Sequence, residues 1–214
     1  MRALTIGSLV AASAVIGCSG SPSPTTSQGD PVVLLLHPGG FVYGTAASMD
    51  AAAKVARGEG LSPVEVHYPL GSPSKAVNYS ARVARSWQKK GHIVYAYGES
   101  AGGAIAAKLA ERGVVDRAAI QAPVSNIPNF FESLGVAAKL PRGWRADALN
   151  ASPVAQRSRH TIRAWVPRQD QLSRDTWRWI NKDPHVTGTA IPGGHLEQPY
   201  SIAAMKAALR YLGN

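Results

Sequence analysis

This chain has little cysteine, little clustered charge and no long uninterrupted apolar run. Its one cysteine, Cys18, cannot close an intrachain disulfide. The 214 residues carry a formal net charge of +10, yet no basic run is longer than Lys89-Lys90. Charge this scattered, with no recognition motif beside it, argues against a nucleic-acid partner. It leaves attraction to an anionic envelope polymer or lipid surface as the use such a balance would have. No His-Glu-x-x-His spacing and no phosphate-binding loop occur, so neither a metal nor a cofactor is expected. There is no internal repeat, heptad array or second linker. The length suits one domain with a substantial core.

The first thirty residues read as something other than fold. Met1-Arg2 is a short positive start, and Leu4 to Gly17 is apolar, broken only by small polar residues. That stretch is short for a bilayer span and suits a signal-peptide core. It ends in Val15-Ile16-Gly17-Cys18, which resembles the bacterial lipoprotein cleavage box, where the cysteine becomes the lipidated first residue. Residues 18–30, rich in Ser, Pro and Thr, then suit a flexible tether. The expectation is a signal peptide over 1–17, lipidation at Cys18, a tether to residue 30 and a domain over 31–214, anchored on the outer face of the cell membrane. An ordinary secretory signal with a chance cysteine is the alternative.

From residue 31 the pattern alternates. Continuous apolar runs, as in Pro31 to Leu36, suit buried parallel strands. Further strands are expected at Ser62–Tyr68, His92–Tyr97, Ala118–Gln121, Thr161–Val166 and His185–Ile191. Helices are expected at Ala46–Arg57, Lys75–Lys90, Ala101–Arg112, Ser173–Asn181 and Ser201–Leu212. Only residues 125–151 break the alternation, with an apolar insertion suited equally to a lid or to an ordinary surface helix. Strand–helix alternation predicts an α/β domain with a mainly parallel sheet covered on both faces. Ligands in such sheets bind at the carboxyl ends of strands.

Several candidates fall on that edge. Gly98-Glu99-Ser100-Ala101-Gly102 follows a strand and opens a helix. A serine at such a turn sits in a cramped backbone conformation, so its neighbours must be small. Gly39-Gly40 follows the first strand, where glycines let backbone N–H groups face a site; Pro38 has none to offer. His37 precedes this turn and is expected to orient the loop. Asp170 and His195 each follow a later strand. Asp147, Asp175, Asp183 and His185 compete for the acid and base roles, but lie in the insertion, in or after a helix, or at a strand start. Glu99 is expected to be structural or solvated. Phe41, Tyr43, Trp144 and Leu172 are candidates for the substrate pocket, and equally for core.

Together these motifs resemble the α/β-hydrolase superfamily, and within it the hormone-sensitive-lipase-like carboxylesterases. His37-Pro38-Gly39-Gly40 stands where that family has His-Gly-Gly-Gly. Gly98-Glu99-Ser100-Ala101-Gly102-Gly103 stands where it usually has Gly-Asp-Ser-Ala-Gly-Gly. Tyr68-Pro69-Leu70, Ala76-Val77 and Ser152-Pro153 also fit. The resemblance runs from about Val32 onward. It implies Ser100 as nucleophile, His195 as base, Asp170 as the acid orienting it, and the N–H groups of Gly39, Gly40 and Ala101 as the oxyanion hole. Two departures stand out: Pro38 replaces a glycine, and the family's N-terminal cap and first two strands are missing, which implies a minimal form with an open site. The implied activity is hydrolysis of short- to medium-chain acyl esters through an acyl-enzyme. The same triad would serve a glycan deacetylase, a thioesterase or an acyltransferase, and a non-catalytic envelope scaffold on this frame is the remaining alternative.

Overall fold

A computed structural model describes residues 29–137, 140–169, 172–195 and 201–214. Six strands form one sheet: β1 (Val32–Leu36), β2 (Ser62–Glu65), β3 (Val94–Glu99), β4 (Arg117–Gln121), β5 (Thr161–Pro167) and β6 (Val186–Ile191). Their order is β2-β1-β3-β4-β5-β6, and every pairing is parallel. All five residues of β1 are buried, as a central strand covered on both faces requires.

The handedness of the crossovers decides which helix lies where. The connection from β1 to β2 runs one way along the sheet; every later crossover, from β2 to β6, runs the other way. Helix α1 (Asp50–Gly58), which follows a 3₁₀ turn at Ala46–Met49, therefore lies on one face. There it is joined by the closing helix α7 (Ile202–Gly213), over Val33, Leu35, Tyr97, Ala119 and Trp165. Helices α2 (Pro73–Gln88), α3 (Ala101–Glu111) and α6 (Ser173–Ile180) cover the opposite face, over Val32, Leu34, Leu36, Ala96, Ile120 and Ala164. The strand residues of the two lists alternate, the period-2 signature of strands buried on both sides.

The interruption between β4 and β5 contains α4 (Ile127–Ser133), α5 (Trp144–Ala151) and a 3₁₀ turn at Pro153–Ala155. It is pinned to the rest of the fold. The Asp147 carboxylate accepts hydrogen bonds from Ser72 Oγ at 2.8 Å and Ser74 N–H at 3.4 Å, at the start of α2. An anion there also complements the helix dipole. Two strands differ from expectation by more than one residue. β3 runs two residues further and starts two later, because Gly98 and Glu99 still pair with β1 and β4, while His92 turns back to the Asp30 carbonyl at 3.0 Å. β2 stops at Glu65, and Tyr68 instead spends its hydroxyl on the His37 carbonyl at 2.6 Å. Cys18, the signal segment and nearly all of the expected tether lie outside the described residues. Among the described residues no helix is long and apolar enough to cross a membrane.

Candidate active site

Strand order reverses between β1 and β3, the first connection leaving β1 on one side and the later ones on the other. Helices diverge at such a point, so a crevice opens outside the strands' carboxyl ends. β1 ends in the Gly39-Gly40 turn and β3 ends in Ser100.

Ser100 has φ 50° and ψ −113°, a left-handed conformation that non-glycine residues rarely adopt. Strain of this kind costs about 1–3 kcal/mol, and the surroundings must hold it in place. Three backbone bonds do so: Ser100 N–H to the Gln121 carbonyl at 3.0 Å, and Val124 and Ala104 N–H to the Ser100 carbonyl at 3.2 and 3.1 Å. The flanking glycines are required by space. A Cβ on Gly98 would overlap the Gly102 backbone, and one on Gly102 would overlap the Leu36 carbonyl at the end of β1. Helix α3 thus starts in direct backbone contact with both strands. Ser100 Oγ lies 2.8 Å from Nε2 of His195, and both residues are buried. A hydroxyl so placed can pass its proton to the imidazole as it attacks.

The turn after β1 is built around His37. Its Nδ1–H donates to the Pro38 carbonyl at 2.6 Å, and its ring stacks on Tyr68 with centroids 4.1 Å apart. Burial lowers the imidazole's affinity for a proton, with the His67 charge adding to it and the Pro38 bond opposing it. A neutral ring with Nδ1–H bonded suits a loop-orienting part. Gly39, at φ 128°, accepts from Val42 and Tyr43 N–H through its carbonyl, both at 3.1 Å. Among the described residues the N–H groups of Gly39, Gly40 and Ala101 donate to no acceptor. Three backbone donors therefore remain available where the carboxyl ends of β1 and β3 meet.

Glu99 is buried, on the sheet face opposite α3, and accepts from the Tyr97 hydroxyl at 2.7 Å. Desolvation raises its pKa, with the Tyr97 bond pulling the other way. It is a structural carboxylate.

The competitors for the acid role are engaged elsewhere. Asp147 holds α2. Asp175 accepts from Asn129 Nδ2 at 2.7 Å. Asp183 accepts from the N–H groups of Ser158 at 2.6 Å and His185 at 3.0 Å, at the amino end of β6. Asp170 lies outside the described residues.

The four pocket candidates separate. Phe41 is only 1% exposed and packs in the core under the turn, the second of the two readings open for it. Tyr43 is 68% exposed. Leu172 is partly buried against the core, just before α6. Trp144 is buried behind Phe131, with ring centroids 4.5 Å apart. The residues that reach the site from the insertion are Phe130 and Phe131, which the sequence pattern marks only as part of its apolar content. Their rings stand 3.7 and 3.9 Å from where a Gly40 Cβ would be. They contact each other at 5.2 Å, and Phe130 contacts the His195 ring at 5.6 Å. An aromatic file thus runs from Trp144 through Phe131 and Phe130 to His195. The signal available in the sequence was the Phe-Phe pair a few residues past a strand end. Among the described residues no group of three or more His, Cys, Asp or Glu side chains could hold a metal ion.

No protein-family model matches this sequence, and no curated protein does. Solved structures resemble it in shape. An esterase from Pyrobaculum calidifontis superposes with a TM-score of 0.67 at 21% identity, over 89% of this chain and 77% of its own. A thermostable carboxylesterase cloned from a metagenomic library gives 0.70 at 18% identity, over 89% and 82%. Esterase 2 of Thermogutta terrifontis gives 0.67 at 14% identity, over 91% and 84%. With its parallel six-stranded sheet and helices on both faces, this chain shares with those esterases the α/β-hydrolase fold.

Proposed function

We propose that this protein is a serine carboxylesterase that cleaves short- to medium-chain acyl esters. The observation that carries the reading is the 2.8 Å contact between Ser100 Oγ and His195 Nε2, at a strained turn beside three backbone donors without acceptors. In the mechanism, Ser100 Oγ attacks the ester carbonyl while His195 Nε2 takes its proton. The carbonyl oxygen becomes an oxyanion held by the N–H groups of Gly39, Gly40 and Ala101. Losing one such donor typically costs about 3–4 kcal/mol of transition-state stabilisation. His195 then returns the proton to the departing alkoxide, leaving an acyl-Ser100 ester. A water molecule repeats the sequence, giving the carboxylic acid and free Ser100. Asp170 is assigned the part of orienting the imidazole, a reading supported by the engagement of Asp147, Asp175 and Asp183 elsewhere.

The preference for shorter acyl groups follows from Phe130 and Phe131, whose rings crowd the space over Gly40 and beside His195. The N-terminal Val15-Ile16-Gly17-Cys18 supports an envelope location with a lipid anchor at Cys18.

The test is hydrolysis of p-nitrophenyl esters from acetate to palmitate by the protein and its Ser100→Ala variant. Turnover that peaks on the short rungs and vanishes in Ser100→Ala is the expected result. Thermogutta terrifontis esterase 2 was solved phosphonylated by cyclosarin and phosphorylated by paraoxon. A fluorophosphonate probe should likewise label this protein at Ser100. Absence of both turnover and labelling would overturn the reading in favour of a non-catalytic scaffold.

A further inference from the structure

A second concavity lies away from Ser100, on the face of the sheet that α7 covers. It has a volume of about 600 Å³, and Arg117, Arg163, Arg210, Trp165, Thr189 and Tyr211 line it. Strand alternation places it there. Arg163 pairs in register with Ala119, and Trp165 with Gln121, on the same side as Tyr97 and α7.

The arginines of this groove differ in their partners. Arg210 meets Glu59 at 3.4 Å. Among the described residues neither Arg117 nor Arg163 reaches a carboxylate within ion-pair distance. Both are held instead by aromatic faces. The Arg163 guanidinium lies 5.6 Å from the centre of the Trp165 ring and 5.7 Å from that of Tyr211. Arg117 lies 5.8 Å from Tyr95. A guanidinium drawn to a ring face keeps N–H donors free for a planar or tetrahedral anion. Burial raises the pKa of the Tyr211 phenol against the pull of Arg117 and Arg163, so its hydroxyl stays a donor. Two uncompensated forks and the hydroxyls of Thr189 and Tyr211 offer more donors than one carboxylate can accept. A phosphate group, with its additional oxygens, matches them.

We infer that this groove is an anion site that takes phosphate groups through Arg117 and Arg163. It gives a definite place to the excess positive charge of the chain, and it is independent of the ester-cleaving reading. The phosphate can come from a soluble phosphate chain or from an anionic lipid headgroup, and the experiment separates the two.

The probe is tripolyphosphate, titrated calorimetrically into the full chain, its Arg117→Gln/Arg163→Gln variant and an Arg82→Gln/Lys90→Gln control. The control removes the same charge, also from cations that sit over rings, Tyr79 and Trp87, outside the groove. Saturable binding that weakens about tenfold or more in the groove variant, and less than about twofold in the control, is expected from losing two charge-assisted contacts. Should the glutamine pair not fold, Arg117→Lys/Arg163→Lys keeps the charge, loses the forks and is expected to weaken binding too. Equal losses in the groove variant and the control, or no saturable binding, would overturn the site. Co-sedimentation with phosphatidylglycerol but not phosphatidylcholine vesicles, lost in the groove variant, assigns the site to lipid headgroups. Tripolyphosphate binding without that selectivity assigns it to a soluble phosphate chain.

Discussion

The two ends of α3 serve opposite purposes with the same degree of burial. Every residue of the helix is buried. At its start, small residues let the backbone touch β1 and β3, and the chain turns through a strained serine whose neighbours offer unsatisfied donors. At its end lies a buried ion pair, Lys108 Nζ to Glu111 Oε2 at 2.7 Å, with Lys108 also donating to the Ser152 carbonyl at 3.3 Å. Desolvation dominates there. It pushes the Glu111 carboxyl up to about 7, against the pull of Lys108 and Arg112 and with the help of Asp183. A carboxylate at a helix C-terminus also opposes the dipole. The first end leaves backbone donors unsatisfied, while the second neutralises polarity within the fold. One helix can carry both because close packing along its whole length fixes their separation.

The sharpest way to break the first end is Gly102→Ala. Its Cβ would overlap backbone at the end of β1, which cannot yield as a side chain does, so we expect loss of the folded protein by circular dichroism. Next comes the other end. Glu111→Gln replaces a carboxyl that burial keeps largely protonated below pH 7 with a neutral group of the same shape, so the melt itself should move little there. Its pH dependence is the more telling readout. Because the folded pKa lies above the unfolded one, the folded state binds the extra proton between about pH 4.5 and 7. Stability from this group is therefore greatest below pH 4.5 and declines by about 3 kcal/mol as pH rises to 7. That slope should be absent in Glu111→Gln.

Ser100→Gly should abolish ester turnover yet stabilise the protein by about 1 kcal/mol, since glycine adopts φ 50° without strain. A rise in Tm of about 2–4 °C over Ser100→Ala is the expected measure. The smallest effect is Phe130→Ala. The peak of the p-nitrophenyl ladder should move to longer chains, with a preference change of about tenfold between butyrate and decanoate from the freed volume. A uniform drop on all rungs would instead mean that Phe130 matters only for placing His195.

The strained end of α3 was legible in the sequence because sterics leave few alternatives. Gly98, Ser100 and Gly102 are dictated by backbone contacts within a strand–turn–helix, and short-range geometry of that kind shows as a motif. The alternation of strands and helices was legible for the same reason, since each element carries its own period. The far end was not. Nothing at the level of pattern distinguishes Lys108 and Glu111 from a solvated i,i+3 pair on an exposed helix face, because their burial depends on residues 152 and 183. The insertion was illegible in a similar way. Phe130, Phe131 and Trp144 were visible as apolar residues, but which of them reaches the site depends on Asp147 docking on α2, a contact spanning 75 positions from Ser72. Phe41 stayed open between pocket and core because its neighbours in sequence belong to the turn, and its burial beneath that turn, at a positive φ, is not written in any local pattern.

The aromatic file from Trp144 to His195 has a consequence for how this protein would recover from unfolding. Ser100 and His195 are 95 positions apart, and the ring that abuts the imidazole belongs to a segment that docks through α2. Sheet and helices are held by contacts that do not require that docking. Regained secondary structure would thus precede regained turnover, and a molecule whose insertion has come loose would look folded to a spectrometer while remaining silent to its substrate. On the proposed reading, activity would report on whether that docking has closed.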